Sequence, residues 1–256
     1  MTTYKTFHIH ELDINTIRPC SNAEDEDGSK IAVIGRPGSG KSFLIRDLIY
    51  AKQHIFPVAQ IISGTEDSNK FFSSIFHELF IHEKLDVSHI QNFSKRQKIA
   101  KNYLGEWAWG LLVVDDCMDD ISLFRNAAFL NLMKNGRHWK LLFILGLQYA
   151  MDILPALRIC IDGCFIFREP NIRFRKILYE NYASIFGDFK LFCKVMDELT
   201  DDHTALYINN RSTSNRIEDC VFWYRARDVG DFEFGCEDYK LFHDERFDAL
   251  KLEQPF

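Results

Sequence analysis

The chain has 256 residues, 46% of them hydrophobic, enough to bury a full core in one or two domains. Its formal charge of -6 excludes a surface coated with basic residues for nonspecific nucleic-acid binding, so any DNA contact must be local, for example inside a ring. The seven cysteines form no C-x-x-C pair, and Cys117, Cys160 and Cys164 sit in apolar segments, which suits reduced thiols in a reducing compartment better than disulfides or zinc.

No apolar run approaches the length of a membrane span, and the start Met1-Thr2-Thr3-Tyr4 lacks the apolar core of a signal peptide. The expectation is a soluble, intracellular protein. Residues 1–29 carry a strand-like run over 6–9 and a polar acidic loop over 22–29. The apolar run over 31–34 then enters Gly35-Arg36-Pro37-Gly38-Ser39-Gly40-Lys41-Ser42, which fills every fixed position of G-x-x-x-x-G-K-[ST] between a strand and a helix. Gly35, Gly38 and Gly40 permit positive φ, so the loop can turn its N–H groups inward as an anion nest. Lys41 is placed for the β/γ-phosphates and Ser42 for Mg²⁺, with the positive end of the next helix aimed at the same phosphates. The predicted cofactors are a nucleoside triphosphate and Mg²⁺.

The helix after this loop places Phe43, Leu44, Leu48 and Ile49 at helical spacing, and a strand is predicted over 58–63. Phe71, Phe72, Phe76, Leu79 and Phe80 read as mainly helical. The basic run Lys95-Arg96-Gln97-Lys98-Ile99-Ala100-Lys101 reads as a solvated helix face, with nucleic-acid contact as the alternative. Further on, apolar strands over 111–114, 141–147 and 164–167 alternate with helices over 121–134, 172–182 and 189–199, followed by strands over 205–208 and 220–224. Continuous apolar strands separated by helices predict a mainly parallel sheet covered on both faces: a RecA-like, three-layer α/β/α P-loop NTPase with ligand at the carboxyl ends of its strands. The predicted organisation is an N-terminal strand and acidic loop (1–29), the ATPase domain (30–225) and a C-terminal extension (226–256).

The run Leu111-Leu112-Val113-Val114-Asp115-Asp116 ends an apolar strand in two carboxylates. Asp115 can hold Mg²⁺ opposite Ser42, and Asp116 can polarise the water that attacks the γ-phosphate, which suits hydrolysis better than transfer to a small acceptor. The strand over 141–147 ends at Gln148, whose amide can meet the γ-phosphate or the attacking water. Arg137 and Arg158 are the two candidates for a guanidinium that reaches the transition state from a neighbouring subunit, with a surface ion pair as the alternative for each. The histidines of His77-Glu78-Leu79-Phe80-Ile81-His82 are five apart, which rotates them off one helix face and argues against a zinc helix. The 23 phenylalanines read as core rather than as a base-stacking platform.

The phosphate loop, the segment ending in Asp115-Asp116, Asn135-Gly136-Arg137-His138 leading to Gln148, Ile153-Leu154-Pro155-Ala156-Leu157-Arg158 and Val221-Phe222-Trp223-Tyr224 together resemble the genome-packaging ATPases of nucleocytoplasmic large DNA viruses. That family belongs to the FtsK/HerA branch of RecA-like, additional-strand ATPases, and the resemblance spans about residues 30–225. It implies an ATP-driven motor that packages double-stranded DNA into a capsid as a pentameric or hexameric ring. Implied with it are a capsid or portal-vertex partner and a place of action at the assembly site in the host cytoplasm and in the virion. Carried over, it makes Lys41 and Ser42 the phosphate and Mg²⁺ residues, Asp115 the Mg²⁺-linked acid, Asp116 the catalytic acid, Gln148 the γ-phosphate sensor and Arg137 the finger. Asp116 stands where many members have glutamate. The competing readings are a nucleoside or nucleotide kinase and a nucleotide-switched binding module; no N-K-x-D segment reads a guanine.

Overall fold

A strand buried on both faces needs helices above and below it, and the chain supplies them in alternation. The computed structural model describes residues 8–20, 25–117 and 121–247. At its centre lies β2 (Ser29–Ile34), flanked by β6 (Leu141–Leu147) and β7 (Gly163–Ile166). Beyond β6 come β5 (Gly110–Asp115), β3 (Ala59–Ser63) and the short edge strand β4 (Ile81–His82). Beyond β7 come β8 (Thr204–Asn209), β9 (Val221–Arg225) and the other edge, β1 (His10–Glu11). Of these nine strands β8 alone runs against the rest.

Alternate side chains of each strand feed two cores. Ala32, Leu112, Val114, Phe143 and Leu145 face one side, where α3 (Val87–Leu104), α4 (Ala127–Asn135), α6 (Ile172–Tyr182) and α7 (Phe189–Leu199) cover them. Ile31, Val33, Val113, Leu142 and Ile144 face the other, beneath α1 (Lys41–Lys52) and the segment around Phe72 and Phe76. Short helices α2 (Glu66–Asn69), α5 (Pro155–Arg158) and α8 (Ile217–Cys220) complete the connections, and α9 (Glu237–Arg246) follows an extended segment that buries Phe234 in the second core.

Three predicted elements differ from the structure. The Phe-rich stretch after residue 70 forms 3-10 turns, Phe72–Ser74 and Glu78–Phe80, rather than an α-helix. The buried Glu66 carboxylate takes the N–H groups of Phe72 and Ser73 at 3.1 and 2.8 Å, and Ile75 O accepts from Phe234 N at 3.0 Å, so non-local partners draw off bonds a helix would use. The helix predicted over 121–134 is split, because Asn126 accepts from Ala128 N at 2.8 Å and caps a fresh start to α4. On α1, Phe43 is exposed and Ile45 takes the expected core place. The predicted N-terminal strand lies partly outside the described residues; its described part is not strand, and pairing with β9 begins at His10. All seven cysteines are unbridged, and burial raises the Cys164 thiol well above its usual range.

One buried group ties α1 to β9 and the residues just after it. Asp47 is fully buried and accepts from Tyr224 Oη at 2.6 Å, Arg227 N at 2.8 Å and Arg227 Nη2 at 2.7 Å. Asp47→Ala would strand a buried phenol and a backbone donor together, and is expected to destabilise the fold by about 2–4 kcal/mol. Urea unfolding checks this; a loss below about 0.5 kcal/mol would show that the clamp does not hold the helix.

Candidate functional site

The phosphate loop, Gln148 and the Asp115-Asp116 pair meet at the carboxyl ends of the neighbouring strands β2, β6 and β5. Gly38 and Gly40 take φ of 75° and 102°, the left-handed values that turn successive N–H groups toward one point. Gly35 has a different reason to be glycine, since a Cβ there would overlap Ser39 Oγ and press on the Phe167 ring. Gly35 N donates to Leu147 O at 3.0 Å, which brings the exposed Gln148 beside the loop, where both line a cleft with Arg36 and Tyr149.

Asp115 is buried, and its Oδ2 accepts from Ser42 Oγ at 3.2 Å while Oδ1 has no hydrogen-bond partner. Burial, and next the neighbouring Asp116, push its carboxyl up to about 6, against the opposing pull of Lys41 and the Ser42 hydrogen bond. A hydroxyl beside a carboxylate with a free oxygen, whose charge is penalised by burial, fits a hard divalent cation. Asp116 turns sharply after β5, with φ of 51°, so that its carboxylate points back to Lys41 Nζ at 3.3 Å. Lys41 is itself nearly buried, so phosphate oxygens and Asp116 compete for one ammonium.

Gly146 on β6 pairs in register with Asp115, and a Cβ there would overlap Asp115 Oδ1. This position was not singled out from the sequence, although a glycine inside an otherwise apolar strand signals a close approach. His203 also escaped the sequence: it precedes β8, and its Nδ1 lies 3.0 Å from Ser39 O in the phosphate loop.

The two candidate arginines lie elsewhere. Arg137 is exposed in the turn Gly136–Trp139 before β6, where its carbonyl accepts from Gly28 N at 2.7 Å. That is the amino end of the sheet, the length of β6, about 20 Å, from the chain's own phosphate loop. Arg158 is buried, bonded to Asn181 and Met151 and set over the Tyr182 ring, which gives it structural partners. The basic run does lie on a helix, α3, with Lys98 over the Trp139 ring and Lys101 bonded to His138 O at 2.5 Å. His77 stacks on His243 and His82 meets His89; burial and His89 push His82 down to about 4. Among the described residues no group of three or more potential ligands could hold a metal ion, and no helix is long and apolar enough to cross a membrane.

A phosphate-loop strand separated by one further strand from the strand bearing the acids, in a mainly parallel sheet covered on both faces, defines a RecA-like P-loop NTPase fold. Solved structures share it: the genome packaging NTPase B204 from Sulfolobus turreted icosahedral virus 2, in complex with sulfate, matches with a TM-score of 0.56 at 14% identity, over 78% of this chain and 97% of that one. The pCW3 conjugation coupling protein TcpA matches with a TM-score of 0.51 at 13% identity, over 90% and 66%. Residues 22–216 match the family described as Poxvirus A32 protein, and the chain belongs to that family. It is 48% identical over 242 residues to protein 088R of Invertebrate iridescent virus 3, covering 92% of each chain. It is also 31% identical over 251 residues to protein L437 of Acanthamoeba polyphaga mimivirus, covering 94% of this chain and 84% of that one.

The contact between Gly146 and Asp115 yields a two-residue test. Gly146→Ala is expected to destabilise the chain by about 1–3 kcal/mol through overpacking, and Asp115→Ala in the same chain should recover most of it. Additive losses in a denaturation double-mutant cycle would show that the glycine is needed for another reason.

Proposed function

We propose that this protein is an ATP-driven motor that moves double-stranded DNA into a viral capsid, as a pentameric or hexameric ring. The observation that carries the reading is the meeting of Lys41, Ser42, Asp115, Asp116 and Gln148 at three adjacent strand ends. Membership of the A32 family supports packaging, and similarity in fold to an NTPase whose description reads genome packaging agrees with it. That same viral NTPase is known in complex with ATP-gammaS and with AMPPCP, in line with ATP as nucleotide here.

The N–H groups of the loop take phosphate oxygens and Lys41 shifts from Asp116 to the β/γ-phosphates. That exchange frees the Asp116 carboxylate to accept a proton from water, and Gln148 orients the water or meets the γ-phosphate. Ser42 and Asp115 are the residues that would hold Mg²⁺, which when bound neutralises charge on the β- and γ-oxygens. Arg137, too far from its own loop, serves a neighbouring copy's site in the ring. The reading also carries a capsid or portal-vertex partner and action at the assembly site in the host cytoplasm, with copies retained in the virion.

The central experiment measures turnover and assembly with and without long double-stranded DNA. Turnover that rises as ATP and DNA close a ring supports the motor; phosphorylation of added nucleosides with no response to DNA would replace it with a kinase.

Three substitutions separate the roles. Lys41→Ala should abolish hydrolysis and weaken ATP binding about 10- to 100-fold, because it removes a charged partner of the phosphates. Asp116→Asn should leave binding intact while turnover drops about 100-fold or more, since the amide cannot accept a proton. Arg137→Ala should assemble and bind ATP normally yet hydrolyse it about 1,000-fold more slowly. Wild-type turnover in the assembled Arg137→Ala ring would remove Arg137 from the site.

A further inference from the structure

The phosphate loop has an outside as well as an inside, and the outside is held. Two consecutive residues before β8, Asp202 and His203, adopt left-handed φ of 48° and 60° without being glycine. Such backbone is uncommon outside glycine, asparagine, aspartate and histidine and persists where surrounding contacts determine it. Here the contacts come from both neighbouring strands. Arg225 at the end of β9 pairs with Asp202 at 2.6 Å, and Arg168 just beyond β7 pairs with Asp201. Thr204 N closes the turn on Asp201 O at 2.9 Å. The turn so held lays the imidazole of His203 against the phosphate loop. Its Nδ1 lies 3.0 Å from Ser39 O, and a Cβ on Gly40 would touch the same side chain at 3.4 Å.

A carbonyl oxygen only accepts, so this contact requires the proton on Nδ1. The acceptor matters because the peptide unit is planar: its C=O and the next residue's N–H point in opposite directions. Holding Ser39 O outward therefore holds Gly40 N–H inward, toward the phosphate nest. This peptide is free to flip unless held, since Gly40 has no Cβ to bias its backbone and stands at φ of 102°. A flipped peptide would present an oxygen where a phosphate needs a donor.

We propose that His203 is a positioning residue that locks the Ser39–Gly40 peptide in its anion-binding orientation, so that β8, from the far half of the chain, sets the affinity of the phosphate loop. The inference rests on the nucleotide reading of that loop. It does not require His203 to touch the nucleotide.

The test uses the full chain and a non-hydrolysable ATP analogue. His203→Gly keeps the left-handed backbone available and removes the ring, while His203→Asn keeps the backbone preference and places an amide donor near Nδ1. His203→Gln instead places its amide near the position of Nε2. The expected result is a Kd raised about tenfold in His203→Gly, restored in His203→Asn and not in His203→Gln, with the thermal midpoint of all three close to wild type. Wild-type affinity in His203→Gly overturns the proposal, and so does rescue by Gln rather than Asn, which would place the ring's action at Nε2 on the nucleotide. Lys41→Ala is measured alongside: if it binds the analogue as wild type does, the reading of the loop itself has failed, whereas loss in Lys41→Ala with none in His203→Gly overturns the brace alone.

Discussion

A carboxylate is buried at the end of β5 with one oxygen bonded to Ser42 and the other left without a donor, and the site is arranged around that fact. Burial raises the energy of the charged form of Asp115, so the group is stable as a carboxylate only with positive charge nearby. Lys41 supplies part of that charge, and the bare oxygen is suited to a cation. The same burial requires space, and β6 provides it by presenting Gly146 at the matching register. Inserting β6 between the phosphate-loop strand and the acid strand thus does two things: it makes room for Asp115 and brings Gln148 beside Gly35.

Because every strand from β7 to β4 runs the same way, all the polar strand ends emerge at one edge of the sheet while the apolar stretches stay inside. The opposite edge carries Arg137. The acids and Arg137 therefore stand at opposite ends of the strands, separated within one copy by the length of β6.

The phosphate loop does not stand alone on its strand. Asp47 fastens α1 to Tyr224 and Arg227, and His203 lies on the loop's outer side, so the helix and the loop are both tied to the β8–β9 part of the sheet. Each of these ties depends on a residue after 200. They give the segment Val221-Phe222-Trp223-Tyr224 a concrete role: it supplies the strand that carries the clamp.

The local sequence determined much of this protein. The eight residues of the phosphate loop, the apolar strands and the acids after β5 were legible because each is written in consecutive residues whose chemistry is fixed by spacing. Helices α6 and α7 begin and end where the periodicity put them, helped by Asn171 and Asp188 as caps. The rest was decided by contacts between residues far apart in the chain. Glu66 and Phe234 competed for backbone groups and left the stretch around Phe72 in 3-10 turns, although its apolar spacing is helical. Gly35 proved to be glycine for lack of space rather than for positive φ, and Arg158 proved to be buried among partners. Which residues share the site's edge, and which stand at the opposite one, depends on strand order and direction. Those follow from how whole apolar faces pack together, a property no short window of sequence contains.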